Sequence, residues 1–383
     1  MKKRILSLIP DRLEKPMGGL GYQYLALHDE LSSEFELHTI CFPHLSSGFE
    51  FPNTKQIFPS FLPTNGGNIN PLVFNLAHQI NFFVTSLGMP KPDLVHAYDW
   101  PVYMPGGHLS NHFNVPLVCS LNLAIRGQIH RNLNIALDPT TKDGKTIQET
   151  LLEMETGFLR WSDRIITISK FYLDIFPEFS SKMSLVPNGI DLRKWKSNNP
   201  NPKKKKNKIV YIGRFCEMKG VDKLLEANIP DGIELWIIGS PDGGDLLCNK
   251  LLDQKLQEGK KNMFYLGPKH GSEKIDVLND ADGVIMPSVH EPFGLVALEA
   301  MASNCVLLSS RRDGLSDFVN PENSIFVDPT VEGIEQGFLE FLNLSEERKD
   351  YFREQGRKTC QKYTWSSAGE KMAEVYRELL NQN

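Results

Sequence analysis

Pro287-Ser288-Val289-His290-Glu291-Pro292-Phe293-Gly294-Leu295-Val296-Ala297-Leu298-Glu299-Ala300-Met301 follows an apolar run at 283–286 and turns helical at about Gly294. A strand, a loop and a helix in that order are the repeating unit of a parallel sheet with helices on both faces. Glu291 sits in the loop and Glu299 on the helix. The first helical amides, Phe293, Gly294 and Leu295, suit a phosphate. Two carboxylates so placed can hold the hydroxyls of two different sugars. A buried carboxylate is costly unless paired or ligand-bound, so two of them beside one apolar helix start call for a ligand. The plain alternative is a capping Glu291 with a solvated Glu299.

Moving outward, Ile209-Val210-Tyr211-Ile212-Gly213-Arg214-Phe215-Cys216-Glu217-Met218-Lys219-Gly220 repeats the strand-loop-helix order. Arg214 and Lys219 leave the loop beyond the strand, where two cations can neutralise the charge growing on a departing diphosphate. Near the start, Lys15-Pro16-Met17-Gly18-Gly19-Leu20-Gly21 joins a strand to a helical pattern at Leu20, Tyr24, Leu27 and Leu31. Glycines there let backbone N–H groups approach an anion, or simply make a tight turn. Strands are expected at 5–9, 36–42, 94–97, 117–120, 165–168 and 184–186. A second series is expected at 209–212, 234–238, 263–266, 283–286, 306–309 and 324–327. Near-continuous apolar strands alternating with helices give an α/β chain of two doubly wound, Rossmann-like domains. They occupy 1–196 and 207–364, divided by a Lys/Asn/Pro-rich linker at 197–208. Ligands bind beyond the carboxyl ends of such strands. A last amphipathic helix turns Ala368, Met372, Val375, Tyr376 and Leu379 inward.

The 383 residues suit two domains, and 40% apolar with 23% charged residues describes an ordinary globular chain. A net charge of −5, with both signs dispersed, excludes a large nucleic-acid surface. Cys41, Cys119, Cys216, Cys248, Cys305 and Cys360 are widely spaced and read as reduced core residues. The apolar stretch at 5–9 is too short for a secretory signal and no segment reaches the length of a membrane span, so a cytoplasmic protein is expected. The pattern at 71–87 puts Val73, Leu76, Ile80, Phe83, Val84 and Leu87 on one face without Lys or Arg. It is expected to pack in the core, which favours a soluble acceptor over a membrane one.

Together these residues resemble the retaining glycosyltransferases of the GT-B fold, families 4 and 5, the latter including glycogen and starch synthases. The resemblance runs nearly the whole chain. It includes Lys15 with Gly18-Gly19, His96-Ala97-Tyr98-Asp99-Trp100, Val186-Pro187-Asn188-Gly189-Ile190-Asp191, Gly213-Arg214 with Lys219-Gly220, the Glu291…Glu299 pair, and Tyr363-Thr364-Trp365. It implies an acceptor-binding first domain, a nucleotide-sugar-binding second domain, a cleft between them, and a last helix, 365–383, returning to the first. Gly18 and Gly19 would meet the donor phosphates, Arg214 and Lys219 the diphosphate, Glu291 the transferred sugar and Glu299 the ribose. Asp99 would face sugar or acceptor, with Lys15, Arg126 and His130 as further acceptor candidates. The implied reaction moves a hexose, glucose by the synthase-like features, from a UDP-, ADP- or GDP-linked donor to a soluble hydroxylated acceptor. It retains the anomeric configuration and needs no metal or other cofactor.

Several positions depart from that pattern. Ser120-Leu121-Asn122-Leu123-Ala124-Ile125-Arg126-Gly127 puts Leu121 where the synthases carry a histidine against the donor sugar. His290 and His130 are candidate substitutes or else surface histidines. Arg312-Asp313-Gly314-Leu315 takes the place of a Gly-Gly-Leu turn, Tyr98 replaces a histidine, and the glycine loop has one extra residue after Lys15. The long stretch 122–145 reads as an acceptor loop or lid. The rival to an enzyme is a weak or inactive GT-B protein that binds nucleotide sugar or a partner, supported mainly by Leu121. A sugar-nucleotide epimerase on the same fold is a third reading, disfavoured by Glu291, Glu299, Arg214 and Lys219.

Overall fold

The computed structural model describes residues 2–14, 16, 18–41, 52–56, 71–133, 144–195, 207–240, 246–259 and 261–381, with the side chains of 71–78 and 144–147 left aside. The chain divides into two compact units, one of Met1–Asn188 with Trp365–Asn383 and one of Gly189–Thr364.

In the first unit the strands are β1 (Arg4–Ile9), β2 (Glu36–Cys41), β3 (Thr54–Gln56), β4 (Leu94–Tyr98), β5 (Leu117–Leu121), β6 (Arg164–Thr167) and β7 (Met183–Leu185). The helices between them are α1 (Gly19–Leu31), α2 (Pro71–Leu87), α3 (Tyr103–Phe113), α4 (Ile125–His130), α5 (Gly144–Trp161) and α6 (Lys170–Ile175). The second unit has β8 (Asn207–Ile212), β9 (Ile233–Ile238), β10 (Met263–Gly267), β11 (Gly283–Met286), β12 (Val306–Ser309) and β13 (Ser324–Phe326). With them run α7 (Val221–Glu226), α8 (Leu246–Gln257), α9 (Gly271–Asp280), α10 (Leu295–Ala302), α11 (Val331–Asn343) and α12 (Glu346–Cys360), and α13 (Trp365–Asn381) follows. Every expected strand is present within a residue or two. β3, a polar three-residue edge strand, is additional.

The sheets run in the orders β3-β2-β1-β4-β5-β6-β7 and β10-β9-β8-β11-β12-β13. All their pairings are parallel, including β1 with β4 and β8 with β11. In each sheet the direction of winding reverses at one place, between β1 and β4 and between β8 and β11. That crevice at the carboxyl ends is where a doubly wound sheet binds ligands. Strands β4, β5, β11 and β12 are buried along their whole length, as central parallel strands must be.

Helix α13 belongs to the first unit. Ala368, Met372, Val375, Tyr376 and Leu379 join Ile5, Leu27, Leu31 and Leu94 in its core. Tyr376 Oη lies 2.6 Å from His96 Nδ1, and His96 Nε2 lies 2.7 Å from Ser120 Oγ. Burial pushes His96 down to about 3, so the imidazole is neutral and serves as a hydrogen-bond bridge from α13 to β4 and β5.

Three expectations need correction. The 122–145 stretch is not structureless, because α4 and the start of α5 lie in it, while 134–143 fall outside the described residues. On α2, Gln79, Phe82 and Ser86 are buried, whereas Ile80, Val84 and Leu87 are 49%, 60% and 45% exposed. The inward stripe is thus rotated from the apolar one, and the argument from that helix to a soluble acceptor lapses. Lys208 belongs to β8, where it pairs with Asp280, and not to the linker. All six cysteines are buried thiols outside any disulfide. Among the described residues no helix is long and apolar enough to cross a membrane.

Candidate functional site

In the second unit the chemistry collects beyond β8 and β11. Past Ile212 the chain turns through a short 3-10 segment, Glu217–Lys219, into α7. Gly220 has φ +66, and a Cβ there would lie 2.0 Å from the Pro287 carbonyl oxygen, so only glycine lets the two loops touch. The amides of Val289 and His290 donate to Met218 O at 3.0 and 3.2 Å. This lacing brings Lys219 Nζ within 2.7 Å of Glu291 Oε2, with side chains 18% and 9% exposed. Ser288 Oγ is 3.4 Å from the same carboxylate oxygen. Arg214 is half-buried in the same loop, and its carbonyl accepts from Tyr211 Oη at 2.9 Å.

Helix α10 starts on Gly294, whose φ of +103 again demands glycine, and no side chain caps it. Phe293 is buried against Phe318 and Tyr363 and fixes the turn before Leu295. Glu299, one turn and more along, is held by Lys274 Nζ at 2.6 Å. Lys274 comes from α9 and lies 5.5 Å from the Trp195 ring centroid. The second Glu299 oxygen is buried without a hydrogen-bond partner among the described residues. Such a group calls for a partner, and a hydroxyl is a donor of the right kind. Each of the two glutamates therefore carries a lysine. Lys219 is legible in the sequence beside Arg214, but nothing there marks Lys274.

In the first unit the candidates follow β1, β4 and β5. Gly18 is the extended N-cap of α1 and Gly19 its first residue, exposed, with no acidic side chain in the first turn. Asp11 Oδ2 takes the Gly21 amide at 3.0 Å. Lys15 lies outside the described residues. Asp99 directly follows β4 with φ +74 and ψ 161, a region that residues other than glycine seldom enter. Its carboxylate accepts the amides of Asn122 at 3.4 Å and of Leu123 at 3.1 Å. Burial raises Asp99 to about 6 despite those amides. Asn122, beside it, is buried with no partner for its side-chain amide among the described residues, a candidate that no sequence pattern marks. Leu121 is fully buried at the end of β5.

Arg126 is engaged locally, with Nη1 2.9 Å from Ile175 O and 2.6 Å from Glu178 Oε1, and its guanidinium 4.3 Å from the Phe176 ring centroid. His130 is exposed at the end of α4, its ring packed on Phe171. His290 is not a surface histidine. It is wholly buried, with Nδ1 2.5 Å from Asp313 Oδ2.

The structure adds a carboxylate that is not among the sequence candidates. Glu155 of α5 is 1% exposed and accepts the amides of Ile125 at 2.7 Å and Arg126 at 3.2 Å, so it anchors the start of α4. Burial raises it to about 8. A signal for it exists, since Leu151, Glu155 and Leu159 are spaced by four on one buried face. Both Glu155 and Asp99 bind protons more tightly folded than unfolded, so the folded state holds more protons between the unfolded and folded pKa of each. Their contribution to stability therefore falls as pH rises from about 4 to about 8. His96, held at about 3, contributes in the opposite sense up to about pH 6.5 and leaves Glu155 to set the slope above that. A tenfold change in proton affinity is worth about 1.4 kcal/mol, so a few kcal/mol of net loss remain between pH 5 and pH 8.5 after the opposing contribution of His96. Urea unfolding at pH 5 and pH 8.5 should show it, and Glu155→Gln should flatten the slope. An unchanged slope in that variant would mean that Glu155 is ionised throughout.

Comparison with known proteins bears on the family and the fold. The family model described as glycosyl transferases group 1 matches residues 193–359, and that of glycosyltransferase family 4 matches 17–194. Glycogen synthase of Mycobacterium tuberculosis is 26% identical over 297 residues, 75% of this chain and 69% of its own. Sucrose-phosphate synthase from Thermosynechococcus elongatus superposes with a TM-score of 0.82 over 100% of both chains at 20% identity. Anabaena HepE, solved in complex with UDP-glucose, superposes with a TM-score of 0.73 over 98% of this chain and 100% of its own at 16% identity. With the two family models together running from residue 17 to residue 359, the chain belongs to the group 1 and family 4 glycosyltransferases of the GT-B fold.

Proposed function

We propose that this glycosyltransferase moves a hexose, glucose in the first instance, from a nucleoside-diphosphate donor to a hydroxyl of an acceptor. The anomeric configuration is retained and no metal takes part. The observation that carries the reading is the Lys219–Glu291 pair, 2.7 Å apart where β8 and β11 diverge. A diphosphate needs cations and a sugar needs a carboxylate acceptor, and here the two stand side by side.

In this reading Glu299 holds the ribose hydroxyls and Arg214 with Lys219 the diphosphate. The first amides of α10 face phosphate, and Glu291 binds hydroxyls of the transferred sugar. The bond from the anomeric carbon to the phosphate oxygen breaks while the acceptor oxygen bonds to that carbon on the same face. The acceptor proton goes to the leaving phosphate, so a nucleoside diphosphate departs. Charge grows on that phosphate, and fixed cations stabilise it without reorganising. HepE of Anabaena, solved with UDP-glucose, supports a uridine donor as the first to try.

The experiment is a thermal-shift and calorimetric screen of UDP, ADP, GDP and their glucose conjugates, with Glu299→Ala and Arg214→Ala in parallel. Ligand at 100 times its Kd should stabilise the wild type by about 2.7 kcal/mol and the variants by much less. Product NMR with an accepted hydroxyl compound should then show retained configuration, unaffected by EDTA. No stabilisation by any nucleotide would sink the reading. Stabilisation without turnover of any acceptor would make the protein a nucleotide-sugar binder, the reading that Leu121 favours.

A further inference from the structure

The loop that carries Glu291 is held by a buried pair that the proposed reaction does not itself use. His290 Nδ1–H donates to Asp313 Oδ2 at 2.5 Å, with neither side chain exposed. The same Oδ2 lies 3.4 Å from the Glu291 amide, and the Glu291 carbonyl accepts from the Gly314 amide at 3.0 Å. Ser310 Oγ adds a bond to Ser288 O at 2.7 Å. The loop after β11 is thus laced to the loop after β12 on one side and, through Met218, to the loop after β8 on the other.

Asp313 holds its place at a conformational cost. Its φ is +53, in the left-handed region that glycine enters freely and other residues seldom do. It stands where the resemblance leads one to expect the first glycine of a Gly-Gly-Leu turn. A buried histidine or a buried aspartate is each unfavourable alone, and the bond between them satisfies His290 Nδ1 and Asp313 Oδ2 together. Packing alone explains neither the strained backbone nor a carboxylate aimed at both the imidazole and the Glu291 amide.

We propose that His290 and Asp313 are a positioning pair that sets the Glu291 carboxylate against Lys219 and thereby aligns the sugar end of the donor. Neither residue touches the donor. This rests on the reading that Glu291 binds the transferred sugar. The nucleoside diphosphate, held through Glu299, Arg214 and Lys219, should not lose affinity when the pair is broken.

Two replacements of His290 separate positioning from packing. Asparagine keeps a donor near the place of Nδ1 and loses the ring. Phenylalanine keeps the ring and loses the donor. Asp313→Gly removes the acceptor while relieving the backbone. We expect His290→Phe and Asp313→Gly to weaken binding of the sugar nucleotide, and to lower kcat, by about 10- to 100-fold, the scale of one buried charge-assisted hydrogen bond. Binding of the free nucleoside diphosphate should weaken by no more than about two-fold. His290→Asn should stay within about three-fold of the wild type in every measure. Asparagine behaving as badly as phenylalanine, or equal losses for diphosphate and sugar nucleotide, would overturn the proposal.

Amide hydrogen exchange of the unliganded protein provides a readout that needs no substrate. Exchange at Glu291 and Gly314 should quicken about ten-fold or more in His290→Phe and Asp313→Gly but not in His290→Asn. If no sugar nucleotide binds the wild type, the functional reading fails while exchange still judges the pair. Unchanged exchange in all three variants would refute the lacing outright.

Discussion

Glu291→Gln should lower kcat by about 10²- to 10³-fold while the nucleoside diphosphate binds as tightly as to the wild type or a few-fold more tightly. The rate loss is that of removing one preorganised charged group from a transition state with little water around it. The tighter product binding follows from Lys219. In the unliganded protein its ammonium is engaged by Glu291 Oε2 at 2.7 Å. Glutamine keeps the shape but releases that charge to the diphosphate. Because Lys219 is only 18% exposed, the variant should also be less stable unliganded, by about 3 kcal/mol, the scale of a buried pair with one partner removed. Added diphosphate should restore that loss, so its thermal shift should be larger in the variant than in the wild type. Kinetics on an accepted acceptor, with calorimetry and thermal unfolding with and without diphosphate, measure all three effects. Weaker diphosphate binding in Glu291→Gln would mean that the carboxylate contacts the nucleotide itself and that the proposed division of roles is wrong.

The glutamate pair, the Arg-Lys loop and the parallel sheets are legible in the sequence because each is a local pattern. An apolar run, a loop of small and charged residues and a helical face lie within about 20 residues of one another, and the handedness rules of parallel sheets supply the rest. What the sequence withholds is long-range. Lys274 and Glu299 are 25 residues apart on different helices, and no periodicity links them. His290 reads as a polar loop residue until Asp313, 23 residues on, closes over it. Asp313 itself stands out in the sequence only as a departure from an expected glycine, and its positive φ supplies the reason that it matters. Helix α2 differs for another reason. Its apolar residues do recur at helical spacing, but Gln79 and Ser86 lie on the buried stripe, and a polar buried face is invisible to a hydrophobicity argument. Edge strand β3 is Thr-Lys-Gln, which offers no alternation to detect.

Gly220→Ala should be among the most damaging single methyl groups in the second unit. Two penalties add. The residue sits at φ +66, where an L side chain costs roughly 1–2 kcal/mol. The new Cβ would also stand 2.0 Å from the Pro287 carbonyl oxygen, a backbone atom that cannot turn aside. Relief requires the loops after β8 and β11 to part, and overpacking of that kind costs roughly 1–3 kcal/mol more. For a domain of this length the sum corresponds to a fall in Tm of about 5–15 °C. The two bonds to Met218 O would stretch with the same movement. Lys219 would then withdraw from Glu291, so donor binding should fall more than about ten-fold. Asparagine tells the two penalties apart. It tolerates the left-handed backbone better than alanine but carries the same Cβ. Gly220→Asn should therefore be nearly as damaging as Gly220→Ala, because the close approach and not the backbone angle dominates. A Gly220→Asn protein with wild-type Tm and donor affinity would show that the loops can separate freely. The lacing between β8 and β11 would then not be what holds Lys219 and Glu291 together.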